Sequence, residues 1–305
     1  MDRTIQIAVD SWTPPVATIA TLLAIAALYA RGFARLHRQM PGRFAGWRPA
    51  SFLGGLGALA IAIASPLEVL DDLLLQVHMT QHLLLMLVAP ALLLAGAPAI
   101  PLVRGLPPRI AKAVVGPPLR SRAVRGLYDR LTEPATCWLA FVLATWVWHV
   151  PAMFELALRS EAWHVVEHAC FFTTALMFWY PVIQPWPSVA RWPRWAMLPY
   201  LLLADGQNTI LSALFVFSGR LLYPYYATAP QIAGFTPMGN QIVAGAIMWV
   251  PGSIFYLVPA AVLILQMLAP RNLSHRSALS REPRPYSRSA RLARVDGPGE
   301  RLGNP

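Results

Sequence analysis

LLQVHMTQHLLLMLVAPALLLA, residues 74–95, is an apolar run long enough to cross a bilayer as a helix, yet it contains two histidines, His78 and His82. Polar side chains are costly in hydrocarbon, so they usually face the interior of a helix bundle or a cavity. Residues four apart in a helix lie on one face, about one turn apart. The stretch therefore predicts a membrane helix that presents two imidazoles to the inside of a bundle.

The composition predicts a membrane protein, because 56% of the residues are hydrophobic and only 13% are charged. We expect an all-α fold, a polytopic membrane helix bundle with seven transmembrane helices. The predicted spans are about 14–34, 50–65, 74–95, 135–152, 162–183, 196–218 and 241–268. Residues 1–13 are predicted to form a short outer segment, 14–268 the membrane domain, and 269–305 a basic, disordered cytoplasmic tail.

The distribution of charge sets the expected orientation. The net charge of +11 comes almost wholly from arginine, and the arginines are concentrated in alternate loops. Loops 31–48, 96–134 and 184–195 are basic, whereas loops 66–73 and 153–161 carry acidic residues. The positive-inside rule then places the N-terminus outside and the C-terminus in the cytoplasm. The basic tail is expected to contact membrane lipid, and nucleic acid is not an expected partner.

Three of the predicted helices bring histidines to the same level, near the outer face of the membrane. The third and fifth spans run inward from that face and the fourth runs outward to it. The histidines in these spans are His78, His82, His149, His164 and His168. We interpret them as a metal site, because imidazole is a common metal ligand and one ion would satisfy several of them at once.

Other side chains are candidates for the same site. Met79, Met86 and Met153 are expected on the same side of the membrane, and thioethers favour reduced copper over zinc. Glu167 is a candidate acceptor that orients an imidazole. His149 lies near a helix end, so an interfacial role is an equal alternative for it. The segment 164–168, HVVEH, also matches a zinc-peptidase pattern, but three fixed positions inside a membrane helix are weak evidence for catalysis.

A second group of polar residues lies in the last two predicted helices. It consists of Asp205, Asn208, Asn240 and Gln241. An ionisable residue near the midplane of a membrane is a functional candidate, and an interhelical hydrogen bond that fixes packing is an equal alternative. Asn240, at the predicted start of the last helix, is interpreted as its N-cap.

Several motifs recur in an order that is typical of one family. They are HMTQH at 78–82 followed by AP at 89–90, WHVP at 148–151, HVVEH at 164–168 and QIVAGAIMWVPG at 241–252. Together they resemble the polytopic CtaG-type cytochrome c oxidase assembly factors, a seven-helix bacterial membrane family, over about residues 50–268. The resemblance implies a role in maturing a haem-copper oxidase by supplying copper, and it maps the family's histidines onto the five named above. It also implies a location in the inner (plasma) membrane of a bacterium. The chain departs from the expected pattern at Asn240, where we expect an aspartate.

The leading hypothesis is a non-enzymatic metallochaperone. Its outer-leaflet histidines and methionines would hold copper and pass it to a haem-copper oxidase subunit, with a periplasmic copper donor as a further candidate partner. One alternative is a haem-binding membrane electron carrier in which two histidines ligate the iron axially. Another is a copper permease with Asp205 and a kink at Pro251 on its pathway.

Overall fold

The computed structural model describes residues 3–230, 232 and 234–269, and the regular secondary structure of these residues is helical, with no β-strand among them. The α-helices in chain order are α1 Arg3–Ser11, α2 Val16–Gln39, α3 Arg48–Ile63, α4 Leu67–Leu70, α5 Leu75–Leu83, α6 Ala89–Ala95, α7 Ala99–Gly105, α8 Pro108–Arg120, α9 Arg122–Leu131, α10 Pro134–His149, α11 Pro151–Leu158, α12 Glu161–Ile183, α13 Met197–Phe217, α14 Tyr225–Thr228 and α15 Pro237–Leu268. The described residues up to Met267 form one compact unit. The predicted basic tail lies outside the described residues, apart from Ala269.

The all-helical membrane character that the sequence predicts is confirmed. The helical stretches long and apolar enough to cross a membrane are Val16–Gln39, Arg48–Leu70, Leu75–Ala95, Arg194–Phe217 and Pro237–Leu268. The bent pair α10 and α11 adds a sixth stretch if it is counted as one span. α12 corresponds to the remaining predicted span and has 23 residues, but it is not among these stretches of the described residues.

The fourth predicted span is broken where the sequence analysis expected one helix over 135–152. α10 ends at His149, α11 begins at Pro151, and the two are bent by 75°. Proline disfavours the helical conformation in the residue before it, and Val150 is accordingly extended with ψ of 129°. His149 therefore lies at a junction, and most of the expected loop 153–161 is helical.

The third predicted span contains a π-helical turn, Leu84–Val88, between α5 and α6. Pro90, near the start of α6, has no N–H to donate to the carbonyl of Met86 four residues earlier. The indole Nε1 of Trp179, in α12, donates to that carbonyl instead, at 2.9 Å. This hydrogen bond ties together the two helical stretches that carry the two histidine pairs.

α13 and α15 approach so closely that their contact requires a glycine. A Cβ atom at Gly245 would lie 2.7 Å from Cβ of Phe215 and 3.0 Å from the carbonyl oxygen of Ser212. Asn208 of α13 donates through Nδ2 to the carbonyl oxygen of Met248, at 3.0 Å. Asn208, predicted as part of a polar site, thus has an interhelical packing role.

Replacing Gly245 with alanine is expected to destabilise the protein by about 1–3 kcal/mol, the usual cost of overpacking a tight contact. The added methyl group cannot fit unless α13 and α15 move apart. Thermal unfolding of the purified protein in detergent measures the effect. Gly206→Ala in α13 is the control, because nothing lies within 4 Å of its added Cβ. An equal loss of stability in both variants would contradict this packing.

Candidate metal centre

Two buried tyrosines fix the end of the bundle at which the histidines lie, called the histidine end below. The hydroxyl of Tyr226 donates to the carbonyl oxygen of Asp71, just after α4, at 2.9 Å. The hydroxyl of Tyr223 donates to the carbonyl oxygen of His149, at the end of α10, also at 2.9 Å. The segment around α14 is thereby tied to the loop before α5 and to the junction after α10.

The structure brings the five predicted histidines into one cluster at this end. The ring centroids of His78 and His82 in α5 lie 4.3 Å apart, and those of His164 and His168 in α12 lie 4.1 Å apart. The two pairs face each other, with 5.6 Å between the ring centroids of His82 and His168. The ring of His149 lies 5.9 Å from that of His82. Side chains from three helices therefore meet within reach of one another.

Four side chains form the buried ligand group: His78, His82, Glu167 and His168. Each has a ligand atom within 4.8 Å of those of the others. One carboxylate oxygen of Glu167 lies 3.7 Å from Nε2 of His78, and the other lies 3.8 Å from Nε2 of His82. These distances exceed the usual hydrogen-bond range of about 2.7–3.2 Å. They are close to the separation of two ligands on one metal ion, because bonds of about 2.0–2.2 Å at a tetrahedral centre hold their ligand atoms about 3.4 Å apart.

The buried ligand group has few protein partners. Both ring nitrogens of His78 and His82 and both oxygens of Glu167 are buried without a hydrogen-bond partner among the described residues. Each such unpaired group costs about 1–3 kcal/mol in an apolar interior. A cation would offset that cost by accepting several lone pairs at once, so the donors present fit a transition metal.

Asp71, His78 and His164 form a second set, the outer ligand group. Oδ2 of Asp71 lies 3.5 Å from Nε2 of His164 and 3.9 Å from Nδ1 of His78. Burial raises the pKa of Asp71 to about 8, and the neighbouring Asp72 carboxylate adds to the shift. Burial disfavours the ionised form of the Asp71 carboxylate, and a cation bound at the outer ligand group would stabilise that form.

Sequence reasoning missed Asp71 because this residue lies before α5, outside every predicted span. A signal was present in the paired carboxylates of Asp71 and Asp72, directly before a histidine-bearing helix. Helical periodicity from His78 does not reach Asp71, since residues 71–74 are not helical. Its proximity to His164 depends on how this loop folds.

Two of the three predicted methionines line a small cavity beside the buried ligand group. The cavity has a volume of about 30 Å³, enough for one water molecule or ion. Its lining includes His82, His149, Met79, Met86 and Met248. Met248, which lies in the 241–252 motif and was not among the predicted site methionines, thus joins the soft side chains. Met153 instead packs against the hydrophobic core formed around α10 and α12.

His149 is oriented by its own helix. Its Nδ1 lies 2.7 Å from the carbonyl oxygen of Thr145, so Nδ1 must carry the ring proton and donate it. Nε2 of His149 is then left with a lone pair, and it is buried without a hydrogen-bond partner among the described residues. This imidazole is prepared to act as a ligand through Nε2.

Asn240 and Gln241 have structural roles. α15 begins at Pro237, so Asn240 lies inside its first turn and the prediction that it caps this helix is wrong. The Oδ1 atom of Asn240 instead accepts from the backbone N–H of Gln76 at the start of α5, at 3.0 Å. Gln241 bonds to backbone and side-chain groups of residues 215–222. Asp205 is half-buried and lies outside both ligand groups.

Comparisons with known proteins place the chain in a family. The family model described as "Cytochrome c oxidase caa3 assembly factor (Caa3_CtaG)" matches residues 27–269. Uncharacterized proteins of Mycobacterium bovis and Mycobacterium tuberculosis are each 25% identical over 271 residues, covering 84% of this chain and 38% of theirs. An uncharacterized protein of Mycobacterium leprae is 24% identical over 262 residues, with 82% and 38% covered. The chain therefore spans well under half the length of these relatives, and no solved structure matches it at a significant level.

Gln241→Leu is expected to lower the free energy of unfolding by about 1–3 kcal/mol, because the groups that Gln241 contacts lose their partner. The ligand groups are made by other residues, so metal content should not change. Thermal unfolding and metal analysis of the purified protein measure the two effects. Gln6→Leu, on the exposed side of α1, is the matched control. Unaltered stability together with lost metal would contradict the structural role.

Proposed function

The chain belongs to the cytochrome c oxidase caa3 assembly factor family, and we propose that it binds copper at the histidine end and supplies it to a haem-copper oxidase subunit in the same membrane. The resemblance seen in its motifs is confirmed by the family match. In this proposal the chain is a carrier and not an enzyme. The ion is cargo that is held and passed on.

The observation that carries the proposal is the buried ligand group. Three imidazoles and one carboxylate, from two helical stretches, converge with their ligand atoms within 4.8 Å of one another. The described residues offer hydrogen-bond partners neither to the carboxylate of Glu167 nor to the ring nitrogens of His78 and His82. Such an arrangement is costly unless a ligand completes it.

Copper is the metal that these side chains favour. Imidazole alone suits zinc, copper, iron and nickel, so the histidines do not discriminate among these metals. Thioether sulfur favours Cu(I), and three methionines line the cavity beside His82 and His149. A monovalent ion would also balance the single carboxylate charge of Glu167. The proposed cargo is therefore reduced copper.

Supply to a partner requires that the ion can leave on the side where the partner binds. We propose seven spans and an N-terminus outside, so that the histidine end faces the periplasm across the bacterial inner membrane. The opposite end carries arginine contacts, such as Arg191 with Asp129 at 2.6 Å and Arg35 with the carbonyl oxygen of Arg104. A periplasmic copper donor and an oxidase subunit could then both reach the site from one side.

A haem-binding electron carrier has less support. Two axial histidines must hold a planar macrocycle between them. The ring of His78 contacts Phe154, and the ring of His82 contacts Phe171, with centroids 4.9 Å and 4.6 Å apart. The cavity of about 30 Å³ that His82 and His149 line cannot hold a porphyrin between these two rings. The absence of a Soret band in the purified protein would agree with copper as the cargo.

A copper permease is distinguished from a carrier by transport. Asp205, the residue proposed for its pathway, lies outside both ligand groups. A permease predicts copper uptake into proteoliposomes, whereas a carrier that loads and unloads on one side does not.

Protein purified from copper-supplemented cells is expected to contain about one copper per chain, and the triple variant His78→Ala, His82→Ala, His168→Ala less than about a tenth of that, because ligand loss weakens binding by large factors. Copper is measured by elemental analysis and oxidase activity in the same cells. Glu167→Gln, which is nearly isosteric, tests the group without opening a cavity.

His37→Ala is the control for copper binding, because Nδ1 of His37 contacts the carbonyl oxygen of Phe44, away from the histidine end. It should retain copper. Equal copper content in the triple variant and the wild type, with equal oxidase activity, would refute the proposal.

An impermeant maleimide is expected to label Arg159→Cys in intact cells, and Lys112→Cys only after the membrane is permeabilised, because the positive-inside rule places α11 outside and α8 inside. Both replaced side chains are exposed. The native Cys137 and Cys170 are first changed to serine. The reverse labelling pattern would rule out the proposed orientation.

A further inference from the structure

His78 belongs to both ligand groups and presents a different ring nitrogen to each. Nε2 faces the carboxylate of Glu167 at 3.7 Å, whereas Nδ1 faces the carboxylate of Asp71 at 3.9 Å. The side chain is fully buried, and neither nitrogen has a hydrogen-bond partner among the described residues. The ring therefore stands between two sets of donors, with a nitrogen directed at each.

We propose that the outer ligand group is a separate exchange position for the ion, and that His78 is the ligand shared between this position and the buried ligand group. The inference rests on the proposed copper function. A neutral imidazole has one lone pair and one N–H, so the ring binds an ion through one nitrogen at a time. The ion occupies the outer group through Nδ1 or the buried group through Nε2, and the ring proton moves to the nitrogen that the ion leaves.

The outer ligand group is reached from a wide vestibule at the histidine end. This vestibule has a volume of about 560 Å³, and His164 is part of its wall. Its wall also carries the carboxylates of Glu68, Asp72 and Glu161 against one cation, Arg159. A cleft with an excess of negative charge raises the local concentration of cations. Copper would therefore meet the outer ligand group first.

A second cavity, of about 360 Å³, leads from the same residues toward the buried ligand group. It shares His164, Glu68 and Glu161 with the vestibule, and its wall also includes His168 and Gln81. His164 and His168 lie one turn apart on α12, with ring centroids 4.1 Å apart. An ion held by the outer group thus lies next to the donors of the buried group.

The two groups differ in their access to the vestibule. Each group contains one half-buried histidine, His164 (19% exposed) in the outer group and His168 in the buried group, and their other members are buried. His164 lines the vestibule, whereas His82, Glu167 and His168 are not among the described residues of its wall. Ligands that water and other proteins can reach exchange their ion readily, and ligands enclosed by protein retain it. The outer group therefore governs the rates of loading and release, and the buried group governs affinity.

The test measures the rates of copper(I) loading and release, and separately the equilibrium affinity for copper(I), on the full-length protein in detergent. A chromophoric copper(I) chelator supplies the ion for loading and accepts it on release. Asp71→Asn and His164→Gln are expected to slow both loading and release about tenfold or more, because they remove the charge and the ligand of the exchange position. Equilibrium affinity should stay within about threefold of wild type, since the buried donors are intact. His82→Ala should instead lose affinity, and Asp129→Asn, at the opposite end, should change neither quantity.

Loading and release at wild-type rates in both Asp71→Asn and His164→Gln would overturn the exchange position. An affinity loss in these variants as large as that of His82→Ala would also overturn it, because the two groups would then be one site. Two copper ions per wild-type chain would contradict alternation at His78. A wild-type chain that binds no copper would refute the proposed function itself.

Discussion

An imidazole or carboxylate buried in an apolar helix bundle is costly unless it has a hydrogen-bond partner or binds an ion. This constraint explains the arrangement of the histidine end. Glu167 and His78 are fully buried, and their charged or lone-pair atoms lack hydrogen bonds among the described residues. Apolar side chains of similar size would make a more stable interior. Proteins leave buried polar groups unpaired mainly where function requires it. We therefore interpret His78 and Glu167 as ligands of a bound ion.

The polar side chains around the histidine end form hydrogen bonds with backbone groups and not with the ligand atoms. Trp179 donates to the carbonyl of Met86, beside Pro90, and Asn208 donates to the carbonyl of Met248. Asn240 accepts from the first turn of α5, and Tyr223 holds the end of α10. These contacts position the helices of the bundle and leave the ring nitrogens of His78 and His82 without a hydrogen-bond partner among the described residues. Such preorganisation favours ion binding, because the metal-binding side chains are already held close together before the ion binds.

The two histidine pairs could be predicted from the sequence, because polar residues at i, i+4 in an apolar run have few directions other than the bundle interior. The break between His149 and Pro151 had a local signal in the proline, but hydropathy continues past it. The contact between Asn240 and Gln76 joins residues 164 positions apart, and no periodicity encodes it. Asp71 reaches the histidines through a folded loop, so its part in the site required coordinates.

The central claim is that imidazoles from different helices bind one copper ion together, and X-ray absorption spectroscopy of the copper-loaded protein tests it most directly. The account predicts nitrogen or oxygen ligands at about 2.0 Å with the outer-shell scattering of at least two imidazoles. A spectrum without imidazole scattering, with the copper held only by solvent oxygen or by sulfur, would contradict it.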